Sequence, residues 1–344
     1  MELLNTLYVT TRGSYLRLDH DTVRIEVNRE LAAQVPLIRL QSIVLFGDIM
    51  ITPALIERCA QDGRSIAYFT EHGRFAARIE GPVSGNVLLR RAQHLALSEP
   101  ERRASIARAM LAGKIRNCRA VLLRAARDAR DREERPRLIA AADAQRLVLE
   151  RLPDRQQIDL LMGDEGDAAK SYFGAFATMV SSPLRDDFGL WERSRRPPRD
   201  RMNALLSFLY TLLRFDCVAG LEGIGLDPQI GFLHALRPGR PALALDLMEE
   251  LRPVLADRLA LTIVNRRQLG AEQFEPSPGD AWLLTEEGRR TVITAYQERK
   301  QEEIHHRVLG KNVQIGLVPH IQARLLARHL RNDLADYPPF IATN

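Results

Sequence analysis

Cysteine, aromatic residues and lysine are all scarce in this chain of 344 residues. The three cysteines, Cys59, Cys118 and Cys217, are odd in number and widely spaced. They form neither a disulfide framework nor a CxxC metal ribbon, and the expected setting is a reducing cytoplasm. Aromatics supply 6% of the residues. The core therefore falls to Leu, Ile, Val and Ala, which suits helices. Residues 171–184 form the longest run free of charge and histidine, too short to cross a bilayer. Residues 1–12 carry Glu2 and no apolar stretch after a basic one, so no secretory signal is expected. The motifs GxxxxGK[ST], GxGxxG, HExxH and GxSxG are missing. Nucleotide hydrolysis, dinucleotide binding and serine hydrolase chemistry lose support with them.

What is present describes a folded protein. Hydrophobic residues make up 45% and charged residues 27%, and the length allows two domains at ~150 residues each. Bases exceed acids by 49 − 44 = 5, and Lys accounts for only four of the bases. A GC-rich genome explains that ratio without any function. Location says more: residues 101–150 hold 13 bases and 7 acids, so the rest of the chain is about neutral. Such a stretch either attracts polyanions or forms a solvated helix face with internal Arg–Glu pairs.

The fold class expected is α+β. Residues 1–80 read as a small β-rich domain, with strands at 4–10, 15–18, 22–27, 42–46 and 65–70 and a helix at 51–61. Arg12-Gly13-Ser14 and His20-Asp21 have turn composition. The run Gly81-Pro82-Val83-Ser84-Gly85 breaks the pattern, and 81–86 is the expected linker. Residues 87–344 carry helical spacing at 86–97, 101–127, 136–152, 165–180, 200–218, 241–259, 286–308 and 313–334.

Three segments hold candidate chemistry. In L-M-G-D-E-G-D-A-A-K-S-Y-F (161–173) acids open an expected helix, which capping alone explains; Gly163 and Gly166 also allow close approach to Glu165. In G-F-L-H (231–234) His234 is a ligand or a structural histidine. In P-A-L-A-L-D-L-M-E-E-L-R (241–252) Asp246 lies one turn from Glu249 and Glu250 on a very apolar helix. Surface exposure fits Glu250 better than Asp246. Oxygen ligands with one imidazole suit Mg²⁺ or Mn²⁺, which stabilise phosphodiester displacement. His305-His306 offers a further metal pair if helical, and Arg195-Arg196-Pro197-Pro198-Arg199 a loop able to touch DNA or merely a solvated joint.

Together with N-A-L-L-S-F-L-Y (203–210), these motifs resemble, in order and spacing, the universal CRISPR adaptation integrases, the Cas-one family, with the I-C subtype nearest. The resemblance runs from about residue 4 to 334. It implies an N-terminal β-sandwich that dimerises, and a helical catalytic domain. It further implies a small ferredoxin-like partner, Cas-two, and joining of DNA 3′-hydroxyls to a CRISPR repeat. By motif position the metal ligands are Glu165, His234 and Glu249. Lys170, Arg237, Arg252 and Tyr210 match DNA-binding positions, with Tyr172 a weaker match. The family often has Asp where Glu249 stands, so Asp246 is a rival ligand or an outer group. The competing classes are an architectural DNA-binding protein and a stand-alone structure-specific nuclease.

Overall fold

The structure, a computed structural model, describes residues 6–71, 75–79, 81, 87–129, 131, 133–190, 192–194 and 197–342. It divides into two compact units, Met1–Ser84 with Leu284–Thr294, and Gly85–Leu283 with Ala295–Asn344. Apart from Gly81, the expected linker 81–86 lies outside the described residues.

The first unit is β-rich. Its elements are β1 (Thr6–Val9), β2 (Tyr15–Asp19), β3 (Thr22–Val27), β4 (Glu30–Pro36), β5 (Ser42–Phe46), β6 (Met50–Ile51), α1 (Pro53–Gln61), β7 (Ser65–Phe69) and β8 (Phe75–Ile79). They form two four-stranded sheets of order β1-β5-β7-β8 and β4-β3-β2-β6. β5 and β7 pair in parallel, with Ile43 opposite Ile66, and α1 lies in the crossover that a parallel pair requires. All five β5 residues are buried, as in a strand covered on both faces. Leu16, Val23, Ile43, Leu45, Leu55 and Ile66 share one core. Turns at Gly13 (φ +74°) and His20 (φ +53°) stand where composition placed them.

The second unit is helical. It holds α2 (Val87–Ser98), α3 (Pro100–Asp128), α4 (Glu134–Arg151), α5 (Ile158–Gly174), α6 (Arg185–Phe188), α7 (Arg201–Ile224), α8 (Ala242–Leu251), α9 (Arg258–Asn265) and α11 (Val318–Leu330). Helix α10 (Glu286–Gln301) crosses the division between the units. Two hairpins, β9 (Phe274–Ser277) with β10 (Ala281–Leu284) and β11 (Glu303–His306) with β12 (Lys311–Gln314), flank α10 in sequence. Helix α7 is long and apolar enough to cross a membrane by length and composition, yet 67% of its apolar stretch is buried within the protein. Asp200 caps its start by accepting from Asn203 N at 2.7 Å, and Gly225 (φ +90°) ends it.

Three helices depart from expectation for identifiable reasons. α5 starts at Ile158, so Glu165 lies within a helix instead of opening one. Gly163 and Gly166 each cost about 1 kcal/mol there. Burial of Leu161, Ala168 and Tyr172 holds the helix through them. The stretch 241–259 is not one helix: after Leu251 it widens into a π-helical segment, Arg252–Asp257, before α9. Pro253 has no N–H, and its ring crowds the carbonyl four residues back, so a regular α-turn fails there. The stretch 286–308 ends at Gln301, and His305 and His306 lie on β11 opposite Asn312 and Lys311. That excludes the helical histidine pair. His306 is buried, its Nε2 3.1 Å from Gln322 Oε1.

Candidate active site

Five segments of the helical unit converge on one point: α3, α5, the loop before α8, α8 and the π-helical segment. Helix α3 lies close on α8 because residue 113 is glycine. A Cβ there would stand 3.1 Å from Glu250 Cβ and 3.0 Å from Pro339 Cβ. The neighbouring residue, Lys114, is thereby carried into the interior.

The loop Gly231–His234 is folded around one carboxylate. Asp246, fully buried on α8, accepts from the backbone N–H groups of Phe232 (2.5 Å), Leu233 (3.0 Å) and His234 (2.9 Å). Its Oδ1 also lies 2.6 Å from His234 Nδ1. A carboxylate at Nδ1 keeps a proton there, which leaves Nε2 with its lone pair. Nε2 lies 4.0 Å from Glu249 Oε1. Gly231 is needed for this fold, since a Cβ would stand 2.8 Å from Asp246 Oδ2.

Of Asp164, Glu165 and Asp167 on α5, two are neutralised elsewhere. Arg151 and Arg155 hold Asp164 at 2.5 and 2.8 Å, and Arg151 also holds Asp167 at 2.5 Å. Glu165, whose side chain is 27% exposed, contacts the Lys114 ammonium instead. The same ammonium lies 2.5 Å from Glu249 Oε2, while Arg252 Nη1 lies 2.6 Å from Glu249 Oε1. Burial alone would raise the pKa of Glu249. Arg252, Lys114 and His234 outweigh it and hold the group well below the usual carboxylate range.

Beneath this cluster lies Asp257, at the end of the π-helical segment. It accepts from Tyr210 at 2.7 Å and Tyr172 at 3.1 Å. Burial pushes its pKa up to about 6 against those two donors and the guanidinium groups of Arg252 and Arg193. A cavity of about 20 Å³, large enough for one water, is bounded by Lys114, Glu165, Tyr172, Tyr210, Arg252 and Asp257.

Among the described residues no three His, Cys, Asp or Glu side chains stand ready at metal-coordinating spacing. An ammonium lies between the two carboxylates. The donor chemistry nevertheless fits Mg²⁺ or Mn²⁺: two carboxylates and an imidazole nitrogen. Lys114 acts as a stand-in ion, for both carboxylates are already aimed at one cation.

The model of the CRISPR associated protein Cas1 family matches residues 7–298. The chain belongs to the Cas1 family. It is 54% identical over 339 residues to a CRISPR-associated endonuclease Cas1 of Moorella thermoacetica, with 98% of each chain covered. Among solved structures it is similar to a casposase bound to integration product, with TM-score 0.82, 21% identity and coverage of 97% of this chain and 93% of that one. It is also similar to a chain of a Cas6-RT-Cas1–Cas2 complex, with TM-score 0.81, 21% identity and coverage of 97% and 36%. These two likenesses establish the mixed α+β fold, with a β-rich N-terminal part and a helical remainder.

In this Cas1-family chain Lys114 joins Glu165 to Glu249, His234 Nε2 stands 4.0 Å from Glu249, and Asp246 pairs with His234 Nδ1. Tyr210 and Arg252 are also present, with the Arg252 guanidinium 5.0 Å above the Tyr210 ring. Both are engaged within the protein. Tyr172 is buried against Phe173 and Phe176. Lys170 stands apart, exposed on α5 five residues beyond Glu165, which is about 140° around the helix. Arg237 is exposed on the loop after His234 and makes no ion pair among the described residues. Arg195 and Arg196 lie outside those residues.

Sequence reasoning missed Lys114 and Asp257. The signal for Lys114 was its place on the apolar stripe of Met110, Leu111, Ile115 and Cys118, where a solvated lysine does not belong. The basic surplus of 101–150 is also spent partly inside. Arg102 caps α11 through the carbonyls of His329 and Leu330, Arg103 donates to Phe232 O, and Arg108 to Arg155 O.

Proposed function

We propose that this chain is a metal-dependent DNA endonuclease and integrase of CRISPR adaptation, joining the 3′-hydroxyls of short duplex DNA to the repeat of a CRISPR array. One observation carries the reading: a single ammonium joins Glu165 to Glu249, with His234 Nε2 4.0 Å from Glu249, in a family whose curated member from Moorella is named an endonuclease. Bound there, Mg²⁺ or Mn²⁺ supplies Lewis-acid stabilisation of the charge that develops on the phosphodiester.

The protein's own groups do the positioning. Asp246 holds the His234 ring with Nε2 toward Glu249. Arg252 and Lys114 keep Glu249 ionised. Arg237, exposed beside His234, and Lys170 supply positive charge for the DNA backbone. Arg252, engaged by Glu249, serves that carboxylate first. A DNA hydroxyl as nucleophile gives strand transfer, and water in its place gives cleavage.

DNA and the small partner Cas2 belong to the same reading, supported by the likeness to a casposase bound to integration product and to a chain of a Cas6-RT-Cas1–Cas2 complex. So do homodimerisation through the β-rich domain of residues 1–80, a cytoplasmic setting and the I-C subtype. A purely architectural DNA binder has no use for two carboxylates held on one cation. The test is a strand-transfer and cleavage assay in Mn²⁺ with the Glu165→Ala variant. Joining and cleavage are expected to vanish while duplex DNA binding persists, since an acid beside phosphates repels them. Activity retained in Glu165→Ala would overturn the assignment.

A further inference from the structure

We propose that Lys114 is the internal counter-cation of the metal centre: a positioning residue that holds Glu165 and Glu249 together until a divalent ion takes their oxygens. The inference rests on the metal-dependent reading above and deepens it.

Lys114 sits where a lysine seldom does. Lysine is almost never buried unless paired, and this one is buried on the apolar stripe of α3. Its ammonium meets one oxygen from each of two carboxylates that come from different helices. Two carboxylates facing one point repel, and at the low effective dielectric of a buried site the repulsion is several times that in water. A single cation between them removes it. Lys114 therefore does, with one charge, what a divalent ion does with two.

The same contacts set up a competition. Arg252 already engages Glu249 Oε1, and the Lys114 ammonium engages Glu249 Oε2 and Glu165 Oε1. An ion shared by the two glutamates needs oxygens that the ammonium touches. Of the two bases, lysine is the one able to yield, because its charge sits at the end of a flexible four-carbon stem, whereas the arginine fork is rigid. The small cavity beside it, bounded also by Asp257 and Tyr210, has room for a group the size of an ammonium. Lys114 thus keeps the ligands poised at the cost of some ion affinity.

The experiment compares the full-length protein with Lys114→Gln, Glu165→Gln and the double variant. Melting temperatures are measured in EDTA, and Mn²⁺ binding by calorimetry. Removing the ammonium is expected to lower the melting temperature in EDTA and to tighten Mn²⁺ binding by about tenfold or more, because the competing charge is gone. The stabilisation that Mn²⁺ confers should exceed that of the parent protein. In the Glu165→Gln background Lys114→Gln should cost much less, since one of the two repelling charges has been removed. If Lys114→Gln is unfolded in EDTA, recovery of the fold by Mn²⁺ or by Glu165→Gln supports the proposal, and recovery by neither overturns it. Equal destabilisation in both backgrounds with unchanged Mn²⁺ affinity would reduce Lys114 to packing. Weaker Mn²⁺ binding in Lys114→Gln would also overturn the idea. No Mn²⁺ binding by the parent protein would defeat the metal reading itself, a separate outcome.

Discussion

Asp246 and Glu249 stand three residues apart on α8, and both are buried, yet their surroundings give them different work. Every oxygen of Asp246 is taken by donors of the loop it organises, three backbone N–H groups and the His234 ring. Glu249 instead meets two cations, Lys114 and Arg252, and, at 4.0 Å, the imidazole Nε2. A group ringed by cationic side chains is suited to holding a metal; one saturated by backbone N–H groups is suited to holding a loop. Asp246→Asn places an NH₂ against those donors, so the His234 ring loses its fixed orientation. Mn²⁺ affinity should then fall about 10–100-fold, the range for lost outer partners. Glu249→Gln removes a ligand and should fall further. Calorimetric titration of both variants checks this. Intact affinity in Glu249→Gln beside its loss in Asp246→Asn would exchange the two roles.

At the scale of elements, helix α8 is clamped from behind by its next acid. Glu250 accepts from Tyr337, from Phe340 N at 2.5 Å and from Gln322 at 3.3 Å. Asn117 of α3 ties the same C-terminal segment through Phe340 O and Ala342 N. Burial pushes the Glu250 carboxyl up to about 8 against its three donors. The folded protein therefore keeps a proton there that the unfolded chain sheds near pH 4.5. Stability should fall as pH rises through that window, by up to about 1.4 kcal/mol per unit, and the fall should stop above pH 8. Glu250→Gln should flatten this component, measured by denaturant unfolding between pH 5 and 9. An unchanged slope would place the titration elsewhere. Surface exposure had been the better expectation for Glu250, because its partners lie some ninety residues away and no periodicity reveals them.

Other elements show the same boundary of legibility. β5 was readable from the run Ser42–Phe46, and the turns at Gly13 and His20 from composition. β4 and β8 were not, since they are edge strands whose mostly exposed residues carry no alternation. The glutamates and His234 were recognisable because motif order and spacing survive in sequence. Lys114 was not, because its meaning comes from an α3–α8 approach that Gly113 permits.

On the scale of the whole molecule, the chain joins a β-rich unit to a helical unit, and every group of the proposed centre belongs to the helical one. That unit supplies a deep acidic point, Lys114 and Arg252 to hold it, and exposed bases such as Arg237 nearby on its loop. In the proposed function, charge on the surface draws in DNA, and Glu165 and Glu249 decide what happens to it. The position of the ion decides between these roles. Anomalous diffraction at the manganese edge from crystals of the full chain soaked in Mn²⁺ locates it directly. The predicted result is one strong peak bounded by Glu165, Glu249 and His234 Nε2, with the Lys114 side chain moved off the carboxylates. A peak held by Asp246 or Asp257 instead, with Glu165 and Glu249 still joined by Lys114, would contradict it.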